Sequence, residues 1–214
     1  MLETSTPRLL VAAQLIQEQQ SGTLILDTRP AERFASLHIR GSLQISLAGH
    51  FAAWAALLID AKLKFLLVVE HLGDAEEAVS RLGRVGLHHV VGYSIADETK
   101  WRDLGIELAS ISVQRTESLR GSEQSDSTLQ LIDVRSRAEW LKGHLPGAIS
   151  LPLLDMESNT QPIDPSKHNL IYCHEGFCAT TAASILLRKS RGEIAILIDG
   201  VEGWLSSGLP LEMP

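Results

Sequence analysis

Short apolar runs alternate with helix-like patterns along the whole chain. In the first half, the predicted strands are Thr23–Leu26, Phe65–Val69 and His89–Tyr93, and the predicted helices are Phe51–Ile59 and Asp74–Val85. In the second half, the predicted strands are Leu129–Val134, Asn169–Cys173 and Ile194–Ile198, with a predicted helix at Thr180–Lys189. An opening helix is predicted after Thr6 and Pro7, which suit an N-cap and a first helical position. Short apolar strands separated by helices are typical of a parallel, doubly wound α/β sheet.

The two halves of the chain are similar in sequence. Asp27-Thr28-Arg29 matches Asp133-Val134-Arg135 at a shift of 106 positions, and Trp101 matches Trp204 at a shift of 103. The matched positions keep the same order through most of each half, so we predict two copies of one small domain, at residues 1–107 and 108–214. The polar segment near Ile106–Ser127 is predicted to link them, with part of it as the opening helix of the second copy.

Charge and cysteine content exclude several classes of protein. Acidic residues outnumber basic ones, 26 to 19, for a formal net charge of −7, which argues against nucleic-acid binding and against docking on anionic lipid. The apolar runs are shorter than the ~20 residues of a membrane helix, and the first residues lack a secretory signal pattern. The two cysteines, Cys173 and Cys178, lie too close in sequence to form a disulfide framework, so a cytoplasmic setting is predicted. The histidine spacing predicts no structural zinc site, and no metal or cofactor is expected.

The second copy contains a candidate nucleophile. The predicted strand that ends at Cys173 leads through His174, Glu175 and Gly176 into a predicted helix. Ligands of parallel α/β sheets bind beyond the carboxyl ends of the strands. Loop N–H groups and a helix N-terminus at that place both stabilise an anion, which favours the thiolate of Cys173. A free cysteine is more often a small buried side chain, but this placement makes Cys173 a candidate nucleophile.

Several motifs together resemble the rhodanese-like (sulfurtransferase) family, as a tandem pair over nearly the whole chain. They are Asp133-Val134-Arg135 with Glu139-Trp140, Gly143-His144-Leu145-Pro146-Gly147-Ala148-Ile149, the loop Cys173–Cys178, and Asp199-Gly200-Val201-Glu202-Gly203-Trp204. The resemblance implies, in each domain, a parallel sheet of about five strands flanked by helices. It also implies an enzyme of the thiosulfate or persulfide class, which carries sulfane sulfur as a persulfide on Cys173.

The resemblance further implies that the first domain is inactive. Glu70 stands there at the position of the nucleophile, and a carboxylate cannot carry sulfane sulfur. The same order, inactive and then active, is found in two-domain thiosulfate sulfurtransferases. It is also similar to the rhodanese pair that ends metallo-β-lactamase–rhodanese fusions, which the compact halves and Phe51-Ala52-Ala53-Trp54 favour.

The implied substrate-binding loop departs from the family pattern at one place. Its residues are His174, Glu175, Gly176, Phe177, Cys178 and Ala179. Members of the family often have a basic residue where this chain has Cys178, and Glu175 adds a negative charge. We therefore expect poor use of thiosulfate and better use of a glutathione or protein persulfide. The acceptor is expected to be a thiol or another nucleophile, on a small molecule or a protein.

Other residues of the loop and its surroundings have two interpretations. Cys178 is a candidate resolving thiol that would form a disulfide with Cys173; the alternative is a small residue packed at the helix start. His174 either stabilises the thiolate or faces solvent. Asp133 and Arg135 are expected to support the site as an ion pair at the end of a strand. A Cys-dependent phosphatase would need Arg where Ala179 stands, which counts against that class. A non-catalytic rhodanese-like binding or redox-sensing module stays open, because the basic residue of the loop is missing.

Overall fold

The chain folds into two compact units, Met1–Ser110 and Ile111–Pro214. The computed structural model describes residues 8–10, 12–119, 128–156, 158–159, 161–190 and 192–213. Each unit contains a sheet of parallel strands with helices in the connections, which confirms the predicted fold class. Within these described residues, every helix is too short or too polar to span a bilayer. The predicted N-cap at Thr6 and residues 120–127 of the predicted linker lie outside them.

The first unit has a four-stranded parallel sheet. Its elements are, in chain order, α1 (Ala12–Gln20), β1 (Leu24–Asp27), α2 (Ala31–Ser36), β2 (His38–Ile39), β3 (Leu43–Gln44), α3 (Phe51–Leu58), β4 (Phe65–Val69), α4 (Leu72–Gly83), β5 (Val90–Ile95), α5 (Glu98–Asp103) and β6 (Leu108–Ala109). The strand order is β3-β1-β4-β5, and β2 pairs separately with β6 in an antiparallel ribbon. Beyond β5, a single parallel bridge between Leu9 and Tyr93 takes the place of a fifth strand. The sheet therefore has four strands where about five were expected.

The second unit has a five-stranded parallel sheet. Its elements are, in chain order, β7 (Ser112–Gln114), α6 (Thr116–Leu119), β8 (Leu129–Asp133), α7 (Arg137–Trp140), β9 (Ile149–Ser150), a short 3-10 turn (Leu153–Asp155), β10 (His168–Tyr172), α8 (Phe177–Arg188), β11 (Glu193–Leu197) and α9 (Gly200–Ser206). The strand order is β7-β11-β10-β8-β9. Strand β10 is central, so its carboxyl end lies between those of β8 and β11. This arrangement places the residue after β10 at the middle of the sheet edge.

The predicted elements differ from the observed ones in two places that matter for function. Strand β7 lies inside the predicted linker; the sequence analysis missed it because it is a short, mostly exposed edge strand without an apolar run. Helix α8 begins at Phe177, earlier than the predicted start at Thr180. The earlier start follows from Gly176, which has a φ of +86° and ends the preceding loop in the left-handed region that glycine adopts without strain. Cys178 consequently lies in the first turn of the helix.

The two units repeat the same internal contacts. In the first, the buried Asp27 and Arg29 side chains form an ion pair at 2.7 Å, and His38 stacks on Phe34 at 3.9 Å between ring centroids. In the second, Asp133 pairs with Arg135 at 2.6 Å, and His144 stacks on Trp140 at 3.4 Å. Trp101 and Trp204 are both buried in the core of their unit. The sequence repeat is therefore a repeat of structure.

Candidate active site

Cys173 is the first residue after the central strand β10 of the second unit. The loop from Cys173 to Gly176 connects this strand to the N-terminus of α8. The loop turns sharply at Gly176, where a Cβ atom would collide with the carbonyl oxygen of Ile198. A side chain at position 176 would therefore open the loop, and glycine allows it to close around the sulfur of Cys173.

The loop directs hydrogen-bond donors at the sulfur of Cys173. The backbone N–H of Gly176 donates to Cys173 Sγ at 3.0 Å. The largest effect on the pKa of Cys173 is a hydrogen bond from the side chain of Cys178, which lowers it. Burial raises this pKa, since Cys173 is only 4 % exposed, but the backbone N–H groups of Ala179, Glu175 and Gly176 lower it further. The balance brings the pKa of Cys173 from 9.0 to about 7, so that about half of it is thiolate at neutral pH.

Cys178 has the opposite perturbation. Its hydrogen bond to Cys173 raises the pKa of the Cys178 thiol, and burial and the negative charges of Cys173 and Glu139 raise it further. The proton of the pair therefore stays on Cys178, and the negative charge stays on Cys173. Both cysteines are free thiols in the structure.

The first turn of helix α9 holds the cysteine loop in place. The backbone N–H groups of Val201 and Glu202 donate to the carbonyl oxygens of Cys173 and His174, at 3.0 and 3.2 Å. The approach is so close that a Cβ atom at Gly200 would collide with both carbonyls. In the sequence, Asp199–Trp204 is recognisable only as part of a family motif, and the one local signal of this contact is the glycine that follows a strand.

The rim of the loop is acidic and exposed. The loop side chains differ in exposure: His174 and Glu175 are exposed, Phe177 is 55 % exposed, Cys178 is half-buried, and Gly176 and Ala179 are buried. Candidate ligand atoms of His174, Glu175 and Glu202 lie within 4.8 Å of one another. These three could supply ligands to a cation, but exposed acidic groups often gather without one, and we assign no ion to them. The two carboxylates give the mouth of the site a negative charge.

The match to a known family covers both units. The family model of the Rhodanese-like domain matches residues 11–101 and 116–207. The chain belongs to the rhodanese-like family. It therefore contains two rhodanese-like domains in tandem, as the resemblance implied.

Relatives of these rhodanese-like domains carry several names. A sulfurtransferase of Allochromatium vinosum is 28 % identical over 99 residues, which cover 46 % of this chain and 92 % of that protein. An HTH-type transcriptional regulator of Mycobacterium tuberculosis is 29 % identical over 125 residues, which cover 55 % of this chain and 54 % of the regulator. A solved rhodanese-related protein from Thermoplasma volcanium is 17 % identical, with a TM-score of 0.44, and the match covers 48 % of this chain and 99 % of that one. The chain thus spans about half the length of the first of its curated relatives, the regulator.

The first rhodanese-like domain has no equivalent of the cysteine loop. Glu70 follows strand β4 as Cys173 follows β10, but α4 begins already at Leu72, with His71 as its N-cap. Gly73, which matches Gly176 in sequence, is thus helical, and a loop that encloses an anion does not form. The carboxylate of Glu70 instead lies 3.2 Å from the Arg33 guanidinium. Helix α4 and the ion pair together take up the position that the cysteine loop has in the second domain.

The ion pair of the second domain lies beside Cys173. Asp133 is the register partner of Tyr172, the residue before Cys173. Arg135 donates to both carboxylate oxygens of Asp133 and, at 2.8 Å, to the carbonyl of Gly143. Both side chains are buried, and each is bonded to the other. This suits a role in fixing the loops around the site rather than in contacting substrate.

Proposed function

We propose that the chain is a sulfurtransferase whose second domain carries sulfane sulfur as a persulfide on Cys173. The observation that carries this proposal is the sulfur of Cys173 at a helix N-terminus, with the Gly176 N–H at 3.0 Å and a pKa lowered to about 7. Both rhodanese-like domains and a sulfurtransferase-named relative support sulfur transfer in general.

The proposed reaction has two displacements at sulfur. The thiolate of Cys173 attacks the outer sulfur of a donor persulfide, the donor's S–S bond breaks, and the donor leaves as a thiolate. An acceptor thiolate then attacks the outer sulfur on Cys173, takes it as a new persulfide and regenerates the Cys173 thiolate. The amides of Glu175, Gly176 and Ala179 lower the pKa of Cys173, and in this reaction the same amides stabilise the negative charge of the persulfide.

The donor in this proposal is a persulfide rather than thiosulfate. The loop Cys173–Ala179 contains no Lys or Arg, and Cys178 stands where related enzymes often have a basic residue. The charge of Glu139 acts on Cys178, and Glu175 and Glu202 lie at the rim. One charged hydrogen bond to a bound anion contributes ~1.5–3 kcal/mol, so its loss is expected to weaken thiosulfate use by about 10–100-fold. The reacting –S–S⁻ group of a glutathione or protein persulfide carries a single negative charge, whereas thiosulfate is a dianion.

The test is to load the protein with different donors and to weigh it. After incubation with glutathione persulfide, we expect a mass increase of one sulfur atom on the peptide that contains Cys173, and cyanide should remove that atom as thiocyanate. Cys173→Ser should abolish both signals. Glu70→Gln, at the matching position of the first domain, is the control and should leave turnover unchanged.

Two results would contradict the proposal. Absence of the added sulfur with every donor would favour the non-catalytic binding or sensing module. A higher rate with thiosulfate than with glutathione persulfide would leave sulfur transfer in place but contradict the assigned donor class.

A further inference from the structure

The two cysteines of the chain meet within the cysteine loop. Cys173 follows the central strand and Cys178 lies in the first turn of α8, and a hydrogen bond from the Cys178 side chain is the largest effect that lowers the pKa of Cys173. The left-handed Gly176 turns the loop so sharply that its own N–H donates to Cys173 Sγ at 3.0 Å, and the helix turn that contains Cys178 begins directly after it. A second thiol is therefore positioned at the sulfur that would carry the persulfide.

We propose that Cys178 discharges the Cys173 persulfide internally, releasing the carried sulfur as sulfide and leaving a Cys173–Cys178 disulfide. This inference rests on the proposed function, because it needs a persulfide on Cys173. The sulfur of Cys178 forms a bond to Cys173 Sγ, and the bond between Cys173 Sγ and the outer sulfur breaks. The outer sulfur leaves as hydrosulfide, HS⁻, with the proton of Cys178. The outer sulfur gains two electrons and the two cysteine sulfurs together lose two, so the step needs no external oxidant.

Loading the site changes the role of Cys178. In the unloaded site Cys178 donates to an anionic sulfur, and this contact holds its proton. In the persulfide the negative charge moves to the outer sulfur, and Cys173 Sγ becomes a neutral sulfur open to attack. Cys178 lies in the helix turn whose preceding amide, that of Gly176, is 3.0 Å from that atom, so the attack is intramolecular and has the high effective concentration of such reactions. The helix N-terminus stabilises the thiolate that develops on Cys178 during the attack.

The negative charge of Glu139 opposes this internal attack. It raises the pKa of Cys178 and so keeps the thiolate population of Cys178 small. An abundant external acceptor therefore competes well, and the persulfide is transferred. When no external acceptor is present, the attack by Cys178 is the faster reaction, and Cys173 ends in a disulfide with Cys178. A dithiol reductant would break that disulfide by exchange and return both thiols.

The experiment follows loaded protein in the absence of any thiol. Wild-type protein is treated with glutathione persulfide, desalted quickly, and sampled with an acid quench for sulfide assay and intact mass. We expect one sulfide for each loaded chain and a final mass two hydrogens below that of the reduced protein. The two missing hydrogens should map to the tryptic peptide 168–188, which contains both cysteines. The rate should not depend on protein concentration, because the reaction is intramolecular, and a dithiol should restore both thiols.

Two variants at position 178 supply the comparison. Cys178→Ser keeps a side-chain hydrogen-bond donor and loses the sulfur, and Cys178→Ala loses both. The sulfide released by each protein is divided by the fraction of chains that carry the persulfide at the start. On this scale, sulfide release should be at least about tenfold slower in both variants than in wild-type protein. Sulfide release at the wild-type rate in either variant would overturn the inference. A persulfide that lives as long in wild-type protein as in the variants would overturn it too. Failure of wild-type protein to take up sulfur would overturn the proposed function as well, and the loading measurement separates these two failures.

Discussion

The hydrogen bond between the two thiols makes a quantitative prediction about the nucleophile. Cys178→Ala removes the largest single effect that lowers the pKa of Cys173, while the backbone donors of the loop remain. The pKa of Cys173 should therefore rise from about 7 back towards 9.0. The rise should be only partial, because Gly176 still donates to the sulfur at 3.0 Å.

The size of this shift follows from the strength of the lost contact. A depression of two pH units corresponds to ~2.7 kcal/mol of preferential stabilisation of the thiolate. A hydrogen bond to a charged group contributes ~1.5–3 kcal/mol, partly offset by the solvation that replaces it. We therefore expect the pKa of Cys173 in the variant to be higher by about one unit, which leaves roughly a tenth of it as thiolate at pH 7.

The assay is the pH dependence of alkylation by iodoacetamide, read at the peptide 168–188. The rate in wild-type protein should rise with a midpoint near pH 7, since the thiolate is the reactive form. Cys178→Ser is the matched control, and its midpoint should lie closer to that of wild type because the serine hydroxyl can still donate. A midpoint that does not move in Cys178→Ala, or that moves equally in both variants, would refute the assignment of the low pKa to this hydrogen bond.

Three further predictions concern the loop, the core and the donor. Gly176→Ala should lower the free energy of unfolding by about 2 kcal/mol more than Gly147→Ala, as measured by chemical denaturation. Both positions have a positive φ, but only a Cβ at position 176 would collide with backbone atoms. Equal losses in the two variants would contradict the close approach of Gly176 to that backbone. Burial lowers the pKa of His38 to about 4. The unfolded chain, with a histidine pKa near 6.5, binds more protons between these values, so the free energy of unfolding should fall by up to about 3 kcal/mol from pH 6.5 to pH 4. His38→Gln should flatten this fall, and urea unfolding at a series of pH values checks it. Cys178→Lys should raise kcat/KM for thiosulfate about tenfold, less than a full charged hydrogen bond would give because Glu139 is close; no rise in a thiosulfate–cyanide assay would contradict the charge argument.

The regular part of the fold could be predicted because its causes are local. The buried strand Phe65–Val69 is a continuous apolar run, and the structure has it at the predicted bounds. The sequence repeat predicted two similar domains, and the matching ion pairs of Asp27 and Asp133 show why the motif recurs. Cys173 was singled out because a strand, a glycine-containing loop and a helix follow one another in the sequence. The roles of its neighbours in the loop stay predictions until the variants are measured.

Other features could not be predicted because they depend on segments distant in sequence. Strand β7 is exposed and polar, and it becomes a strand only because the edge of β11 offers it hydrogen-bonding partners. The charge of Glu139 acts on Cys178 although the two residues lie far apart in sequence, which no local pattern encodes.

The sequence by itself determined the α/β class, the tandem repeat, the family and the presence of a cysteine at a strand end, since each depends on the order of neighbouring residues. Only the tertiary structure decided which groups face the sulfur of that cysteine. Gly176 begins α8 earlier than the helical pattern predicts and so places Cys178 in the helix turn that follows the cysteine loop, while the start of α9 holds this loop through the amides of Val201 and Glu202. These contacts set the protonation of the pair, because electrostatic effects depend on distance in space and not on separation along the chain.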